Sequence, residues 1–182
     1  MNDMLLAKFK VEEVENALRQ MAPLKAPGPN GMPPLFYQSY WSFLGNDVTQ
    51  SILLFLNSSS ITKALGHSFS TLIPKVKNPE FISKFRPISL SNVLYTVFAK
   101  VLANRLKLIM PHLISEQQSA FMSDRLISNN ILVAFKTLHY LRNHGMGRSS
   151  YVALKLDMSK AYNRVEWKYM EKVLEKLGFC ER

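Results

Sequence analysis

The strongest constraint on the fold is a change of periodicity close to residue 157. Over residues 151–157 apolar side chains occupy alternate positions, which is the period of a β-strand with one apolar face. Over residues 166–177 they recur at helical spacing, and Gly178 is placed to end that helix. A chain that carries both periods is expected to fold as an α+β unit. The apolar face of the predicted strand consists of Val152, Leu154 and Leu156.

Asp157 stands at the end of the predicted strand, on the face opposite its apolar side chains. Carboxylate oxygens in such a position can bind Mg²⁺, and a bound Mg²⁺ can bridge nucleotide phosphates. An aspartate at a strand end also commonly caps the helix that follows, a role that Ser159 could equally fill. From this residue alone the general preference of aspartate for caps favours the capping interpretation.

The rest of the sequence predicts helices around one pair of strands, without repeats or low-complexity segments. The predicted helices are 9–21, 35–57, 92–110 and 128–143. We expect Gly45–Asn46 to interrupt the second of these helices and Pro111 to end the third. Residues 68–76 and 85–90 have the apolar content of strands, and the connection between them is consistent with a hairpin or a longer fingertip loop. The Pro/Gly-rich residues 23–34 predict an ordered turn or loop.

Composition limits the class of protein. The 182 residues are 47% hydrophobic, which is enough for the core of one ordinary domain. No apolar run reaches the roughly 18 residues of a membrane span, and the N-terminus has no signal-peptide pattern. The single Cys180 excludes an internal disulfide, and the four scattered histidines form no convincing zinc motif. We expect an intracellular protein, in the nucleus or the cytoplasm, with no membrane segment; no pattern specifies its oligomeric state.

The net charge of +10 is concentrated in the middle of the chain. Residues 61–110 contain eight Lys or Arg residues against one acid, Glu80. A basic segment of this kind is what a phosphate backbone or a triphosphate requires, because each cation that neutralises a phosphate releases counterions. A solvated basic face accounts for the same charge equally well.

Four blocks of residues, in the same order, resemble reverse transcriptases of LINE-type non-LTR retrotransposons, particularly those of plants. Residues 101–107 also fit that family. Together the matches extend over nearly the whole chain, which makes the resemblance highly specific. The blocks are Lys-Ala-Pro-Gly-Pro-Asn-Gly at 25–31, Leu-Ile-Pro-Lys-Val-Lys-Asn-Pro at 72–79 with Phe-Arg-Pro-Ile-Ser-Leu at 85–90, Ser-Glu-Gln-Gln-Ser-Ala-Phe at 115–121 with Arg-Leu-Ile-Ser-Asn-Asn-Ile at 125–131, and Leu-Asp-Met-Ser-Lys-Ala-Tyr-Asn-Arg-Val-Glu-Trp at 156–167.

The resemblance implies roles in metal and nucleotide binding. Asp157 becomes the first catalytic carboxylate and, with Met158 beside it, a metal-contact position for Mg²⁺. Arg86 is expected to contact the incoming triphosphate, with Lys75 as a second cation, although an ion pair with Glu80 is an alternative. The resemblance further implies that Tyr162 is a steric gate that rejects a 2′-hydroxyl; packing of its helix is the alternative role.

The resemblance also implies template contacts by Gln118, Phe121 and Arg125. The chain departs from the family pattern at Asp124, where the family commonly has glycine. Glycine reaches positive φ easily and allows close approach of nucleic acid, whereas Asp124 adds a Cβ and a negative charge. Asn163 and Asn30 each replace an aspartate of the family, which keeps the size of the side chain and removes its charge.

As a whole, the resemblance implies an α+β fold with right-hand polymerase fingers and a truncated palm, in which helices pack on short antiparallel strands. Residues 1–34 are expected to form an N-terminal extension helix and the Pro/Gly turn. Residues 35–149 would form the fingers with the start of the palm, and residues 150–182 the part of the palm that carries the first catalytic aspartate.

The expected function is that of a fragment of an RNA-directed DNA polymerase using Mg²⁺ and deoxynucleoside triphosphates, with an RNA template and an RNA–DNA duplex as partners. The four aspartates include no adjacent pair, so the second carboxylate block and the thumb are expected downstream and the chain alone is expected to be inactive. The alternative is a non-catalytic nucleic-acid-binding remnant of a retrotransposon.

Overall fold

The computed structural model describes residues 1–58, 63–143, 152–158 and 161–180. A 3₁₀ turn at Ile82–Lys84 precedes the second strand. In chain order the elements are α1 (Asn2–Leu6), α2 (Val11–Arg19), α3 (Pro34–Ser39), α4 (Trp41–Ser58), α5 (Lys63–Gly66), β1 (Ser68–Pro74), β2 (Phe85–Ser91), α6 (Val93–Leu113), α7 (Ile127–Asn143), α8 (Ala161–Arg164) and α9 (Trp167–Lys176). The described part of the chain is mostly helical with one two-stranded antiparallel sheet, which confirms the predicted α+β class.

The chain divides into two compact units, residues 4–106 and residues 1–3 with 107–182. The hydrophobic core of the first unit is formed by α2, α3, α4 and the start of α6. Its buried members are Val14, Ala17, Leu18, Met21, Tyr37, Val48, Ile52, Val93, Val97 and Val101. Full burial of an aliphatic side chain of this size stabilises a fold by about 1.5–3 kcal/mol, so this cluster dominates the stability of the unit. Among the described residues, none of the helices combines the length and apolar character that a bilayer span requires.

The helical region after residue 34 breaks at Tyr40 instead of at the predicted Gly45. Tyr40 has φ −101° and ψ 21°, outside the helical region, and separates α3 from α4. Gly45 is buried inside α4 against the indole of Trp41, where a Cβ would lie 2.8 Å from a ring carbon. The predicted break at Gly45 was therefore wrong. Because Gly45 has no side chain, the indole of Trp41 can pack closely against α4, and the helix continues through this position.

Helix α6 also continues past its predicted end. A proline lacks the N–H of the helical ladder and crowds the carbonyl four residues before it, so Pro111 was expected to end the helix. The helix instead runs to Leu113, and the amide of Ile114 still donates to the carbonyl of Met110 at 3.0 Å. The residues after Pro111 keep their own donors, which allows one further turn.

Strands β1 and β2 form the predicted hairpin, antiparallel along their full length from the pair Ser68–Ser91 to the pair Pro74–Phe85. At the end of this ladder the amide of Lys75 donates to the carbonyl of Lys84 at 2.8 Å. Residues 75–84, here called the hairpin tip, therefore form a closed connection. One local scaffold therefore carries the basic residues Lys75, Lys77 and Lys84.

Residues 152–158 do not form the predicted strand. The segment belongs to no helix or strand, and its apolar side chains are exposed, Leu156 to 84%. A strand needs a neighbouring strand to accept and donate its ladder bonds, and within the described residues β1 and β2 pair only with each other. Tyr151, the first residue of the prediction, lies outside the described residues.

Helix α9 has its predicted bounds and ending, but its apolar stripe is not buried. Gly178 has φ +85°, and the amide of Phe179 donates back to the carbonyl of Leu174 at 3.1 Å, which closes the helix end. Trp167 is nevertheless 88% exposed, and Met170, Leu174 and Leu177 are also exposed. Spacing places these side chains on one face, but burial also needs a packing partner, which no described residue supplies to that face.

Candidate nucleotide and template site

The hairpin tip carries the first group of candidate site residues. Lys75 is exposed, and its Nζ donates to the main-chain carbonyl of Ser83 at 2.9 Å. Lys84 lies over the ring of Phe81, with Nζ 5.4 Å from the ring centroid. Both lysines therefore order the tip, while each keeps donors that can face a phosphate.

Arg86 lies opposite Ile73 in the hairpin register, and its side chain is exposed. Within the described residues, its guanidinium makes no hydrogen bond or ion pair, and Glu80 makes no ion pair with any cation of the tip. The alternative of a structural Arg86–Glu80 pair is therefore not observed. An exposed guanidinium beside Pro87, whose φ is fixed, suits bidentate contact with a phosphate.

Arg105, one of the basic residues in the middle segment, has an internal role instead. It is 7% exposed, and its guanidinium donates to the carboxylate of Glu13 at 2.6 Å and 2.8 Å. It also donates to the carbonyls of Leu5, Ala7 and Lys8 at 2.5–2.9 Å, and it stacks 3.7 Å from the ring centroid of Phe9. This arginine fastens the N-terminal segment to α6, so it is unavailable to nucleic acid.

The hydrogen bond from Arg105 holds the pKa of the Glu13 carboxyl below its usual value, against the opposing effect of burial. The sequence analysis did not identify this cluster. A signal was present, because Arg105 continues the four-residue spacing of the buried Val97 and Val101 along α6. A cation on an apolar stripe requires internal partners.

The Pro/Gly turn docks on the junction between β2 and α6. A Cβ at Gly28 would lie 2.4 Å from the amide nitrogen of Asn92 and from the carbonyl carbon of Ser91. The amide of Asn30 donates to Oδ1 of Asn92 at 3.1 Å, and Nδ2 of Asn30 lies 3.2 Å from the Tyr37 hydroxyl. Burial raises the pKa of that hydroxyl, and the Asn30 contact opposes the shift. Asn30 therefore stabilises the turn through both its main-chain N–H and its side-chain amide.

The template candidates lie in residues 115–126, here called the braced loop. Nη1 of Arg125 donates to the carbonyls of Ser115 at 2.5 Å and Gln118 at 2.7 Å. Gln118 is exposed, and its Nε2 contacts the carbonyl of Ala120 at 3.3 Å. Phe121 has φ +63° and is fully exposed. The structure therefore brings the three predicted template residues together in one loop.

Asp124 adopts φ +62°. This is the left-handed conformation that glycine reaches without steric cost, and it occurs at the position where the resembling family commonly has glycine. A glycine at this position would adopt the observed conformation without steric cost. Aspartate is among the few residues that tolerate this region.

Asp157 and Met158 are both exposed, and both lie in the segment 152–158, which belongs to no helix or strand. Asp157 offers two hard oxygens to solvent, which fits the donor chemistry of a divalent cation, but one carboxylate supplies only part of a coordination shell. Within the described residues no group of three or more His, Cys, Asp or Glu side chains converges as a metal site. Tyr162 belongs to α8, and its side chain lies outside the described part, as does that of Asn163.

Two comparisons relate this chain to known proteins. The family described as reverse transcriptase (RNA-dependent DNA polymerase) matches residues 73–182, which includes the hairpin tip, the braced loop and Asp157. The chain is also 30% identical over 169 residues to the Transposon TX1 uncharacterized 149 kDa protein of Xenopus laevis, an alignment that covers 93% of this chain and 13% of that protein. Because the family match takes in more than half of the chain together with its candidate site residues, the chain belongs to the reverse transcriptase (RNA-dependent DNA polymerase) family.

Proposed function

We propose that this chain forms the fingers and the first part of the palm of an RNA-directed DNA polymerase from a LINE-type non-LTR retrotransposon, of the kind found in plants. The observation that carries the proposal is the family match over residues 73–182, which contains the exposed Arg86 and the exposed Asp157. The proposed domain limits are 1–34, 35–149 and 150–182. A template of RNA, an RNA–DNA duplex and deoxynucleoside triphosphates are the proposed partners.

Asp157 is the proposed catalytic carboxylate and, with the main-chain carbonyl of Met158, the proposed holder of Mg²⁺. When bound, Mg²⁺ supplies charge stabilisation for the attacking 3′-oxygen and the leaving pyrophosphate in nucleotidyl transfer. The exposure of Asp157 supports this role, because its carboxylate oxygens are accessible to a cation from solvent. The chain contains no adjacent pair of aspartates, so we propose that these 182 residues alone do not extend a primer.

Arg86 is the proposed principal contact of the incoming triphosphate, with Lys75 as the second cation. The guanidinium of Arg86 has no partner among the described residues, which supports bidentate contact with a phosphate. The bond from Lys75 to Ser83 leaves the ammonium of Lys75 two further donors. Tyr162, one position into α8, is the proposed steric gate that excludes a 2′-hydroxyl. Gln118, Phe121 and Arg125 are the proposed template-binding residues.

Titration of a fluorescent deoxynucleoside triphosphate in the presence of Mg²⁺ tests the proposed role of Arg86. If Arg86 contacts the triphosphate, Arg86→Ala weakens nucleotide binding at least about tenfold, because a hydrogen bond to a charged group contributes about 1.5–3 kcal/mol. Arg19→Ala is the matched control, because it removes the same charge from a guanidinium already paired with Glu15 at 2.5 Å. Equal effects of the two variants would contradict a specific role for Arg86.

The competing function is a non-catalytic nucleic-acid-binding remnant, which the absence of any adjacent aspartate pair from these 182 residues favours. The two functions differ in nucleotide binding. A polymerase site binds a fluorescent deoxynucleoside triphosphate in a Mg²⁺-dependent manner and loses that binding in Asp157→Asn. A remnant binds RNA but shows no Mg²⁺-dependent nucleotide binding in either form. Robust primer extension by the isolated chain would overturn the proposal that it is inactive alone.

A further inference from the structure

The braced loop holds a large aromatic ring in an unusual exposed position. Phe121 has φ +63° and a side chain 104% exposed, and Asp124, three residues later, has φ +62°. The left-handed conformation is sterically unfavourable for a residue with a side chain, and full exposure of the ring gives up its burial energy. Backbone strain of this kind persists only where the surrounding structure fixes it, and such strain clusters at functional sites.

Two side chains fix this backbone. Arg125 joins two carbonyls three residues apart through one nitrogen, Nη1, at 2.5 Å to Ser115 and 2.7 Å to Gln118. Asn130, in α7, donates through Nδ2 to the hydroxyl of the buried Ser119 at 2.8 Å. The two braces meet the loop immediately before Phe121, so they set the direction in which its ring leaves the surface.

We propose that Phe121 is a stacking platform for an unpaired base of single-stranded RNA, and that Arg125 is a positioning residue for Phe121 and not a phosphate ligand. This inference rests on the proposed function and refines its template side. A base stacks on an aromatic face regardless of sequence, and each such contact typically tightens binding by about 5- to 150-fold. Nη1 of Arg125 already donates to two carbonyls of the loop. We therefore expect Arg125 to act on RNA binding through these internal hydrogen bonds.

Salt dependence separates the two possible roles of Arg125. A phosphate contact contributes to the slope of log affinity against log salt, whereas stacking and positioning change affinity with no change of slope. Single-stranded RNA that contains one 2-aminopurine provides the probe, because the emission of that base reports stacking directly. The full chain is titrated with this RNA at several salt concentrations.

We expect Phe121→Ala to weaken binding about tenfold with an unchanged salt slope and a lost stacking signal. Arg125→Ala should produce the same loss and the same slope, and the double variant should bind no more weakly than Phe121→Ala alone, because both changes remove one interaction. Phe121→Trp should restore stacking. Phe43→Ala, which removes an exposed ring from α4, should leave binding unchanged.

A lower salt slope in Arg125→Ala, or a further loss on combining it with Phe121→Ala, would show a direct phosphate contact and overturn the positioning role. Asn130→Ala removes the second brace independently and should also weaken stacking at constant slope, which provides the same test if Arg125→Ala lowers the melting temperature. Equal RNA affinity of Phe121→Ala and the wild-type chain refutes the stacking platform alone. Wild-type chain that binds no RNA at low salt refutes the proposed function together with this inference.

Discussion

Arg105 illustrates how a single residue changes the interpretation of a basic segment. Its charge adds to the total that predicts nucleic-acid binding, yet the side chain is buried and joined to Glu13, three carbonyls and the ring of Phe9. Hydrogen bonds to charged groups contribute about 1.5–3 kcal/mol each, and a buried guanidinium needs several of them to offset its desolvation. Charge counts therefore overstate the cations available to a ligand.

The Glu13–Arg105 pair predicts a specific acid sensitivity. The folded pKa of Glu13 lies below its usual 4.5, so the unfolded chain takes up this proton first as the pH falls. The pair's contribution is fully present above about pH 4.5 and is lost as the pH falls through the lower folded pKa. Urea denaturation between pH 7 and pH 3 should show a steeper loss of stability in wild type than in Glu13→Gln. Parallel curves would contradict this role.

Asp124 predicts a stabilising substitution. Asp124→Gly removes the cost of the left-handed backbone, about 1 kcal/mol, and takes a negative charge away from the proposed template side. The variant should unfold at a higher urea concentration and bind RNA more tightly at low salt. Asp47→Gly, within α4, is the opposite control, because glycine in a helix interior destabilises. A loss of stability in Asp124→Gly would contradict the strain argument.

At the scale of elements, the docking of the Pro/Gly turn against the start of α6 joins parts of the chain about 60 residues apart. The close approach of Gly28 to the main chain of Ser91 and Asn92 leaves no space for a side chain. The hydrogen bond from Asn30 to Asn92 completes the contact. This turn therefore positions the second strand of the hairpin, which carries Arg86.

Gly28→Ala should destabilise the fold by about 2–4 kcal/mol, since its Cβ would lie 2.4 Å from main-chain atoms that cannot move independently. Gly66→Ala provides the matched control, because no atom of the described residues lies within 4 Å of the position of its Cβ and its φ is not positive. Thermal unfolding of the two variants measures the difference. Equal melting temperatures would show that the turn does not pack as described.

At the scale of the whole molecule, apolar surface is distributed unevenly. The buried cluster of the unit formed by residues 4–106 contrasts with α7 and α9, which expose large apolar side chains. The exposed members in α7 and α9 are Ile127, Ile131, Leu132, Val133, Phe135, Leu138, Tyr140, Trp167, Tyr169, Met170 and Leu174. Apolar surface of this extent promotes association.

We therefore expect the 182-residue chain to self-associate as its concentration rises, and Trp167→Glu to reduce that association. The indole is 88% exposed, so its replacement removes apolar surface without leaving a cavity. Leu24→Glu is a control at a comparably exposed apolar residue of the other unit. Sedimentation velocity over a concentration series measures the change. A wild-type chain that stays monomeric at high concentration contradicts the expectation.

The sequence by itself determined the helices with a clear apolar period, the two strands of the hairpin, the helix end at Gly178 and the family. These depend on local spacing and on motifs that are read along the chain. Only the tertiary structure decided that Tyr40 separates two helices, that Arg105 is an internal brace, that Phe121 and Asp124 lie at positive φ, and that residues 152–158 form no strand. The physical reason is that burial, ladder pairing and close packing need a partner elsewhere in the chain, and periodicity specifies a face without specifying what covers it.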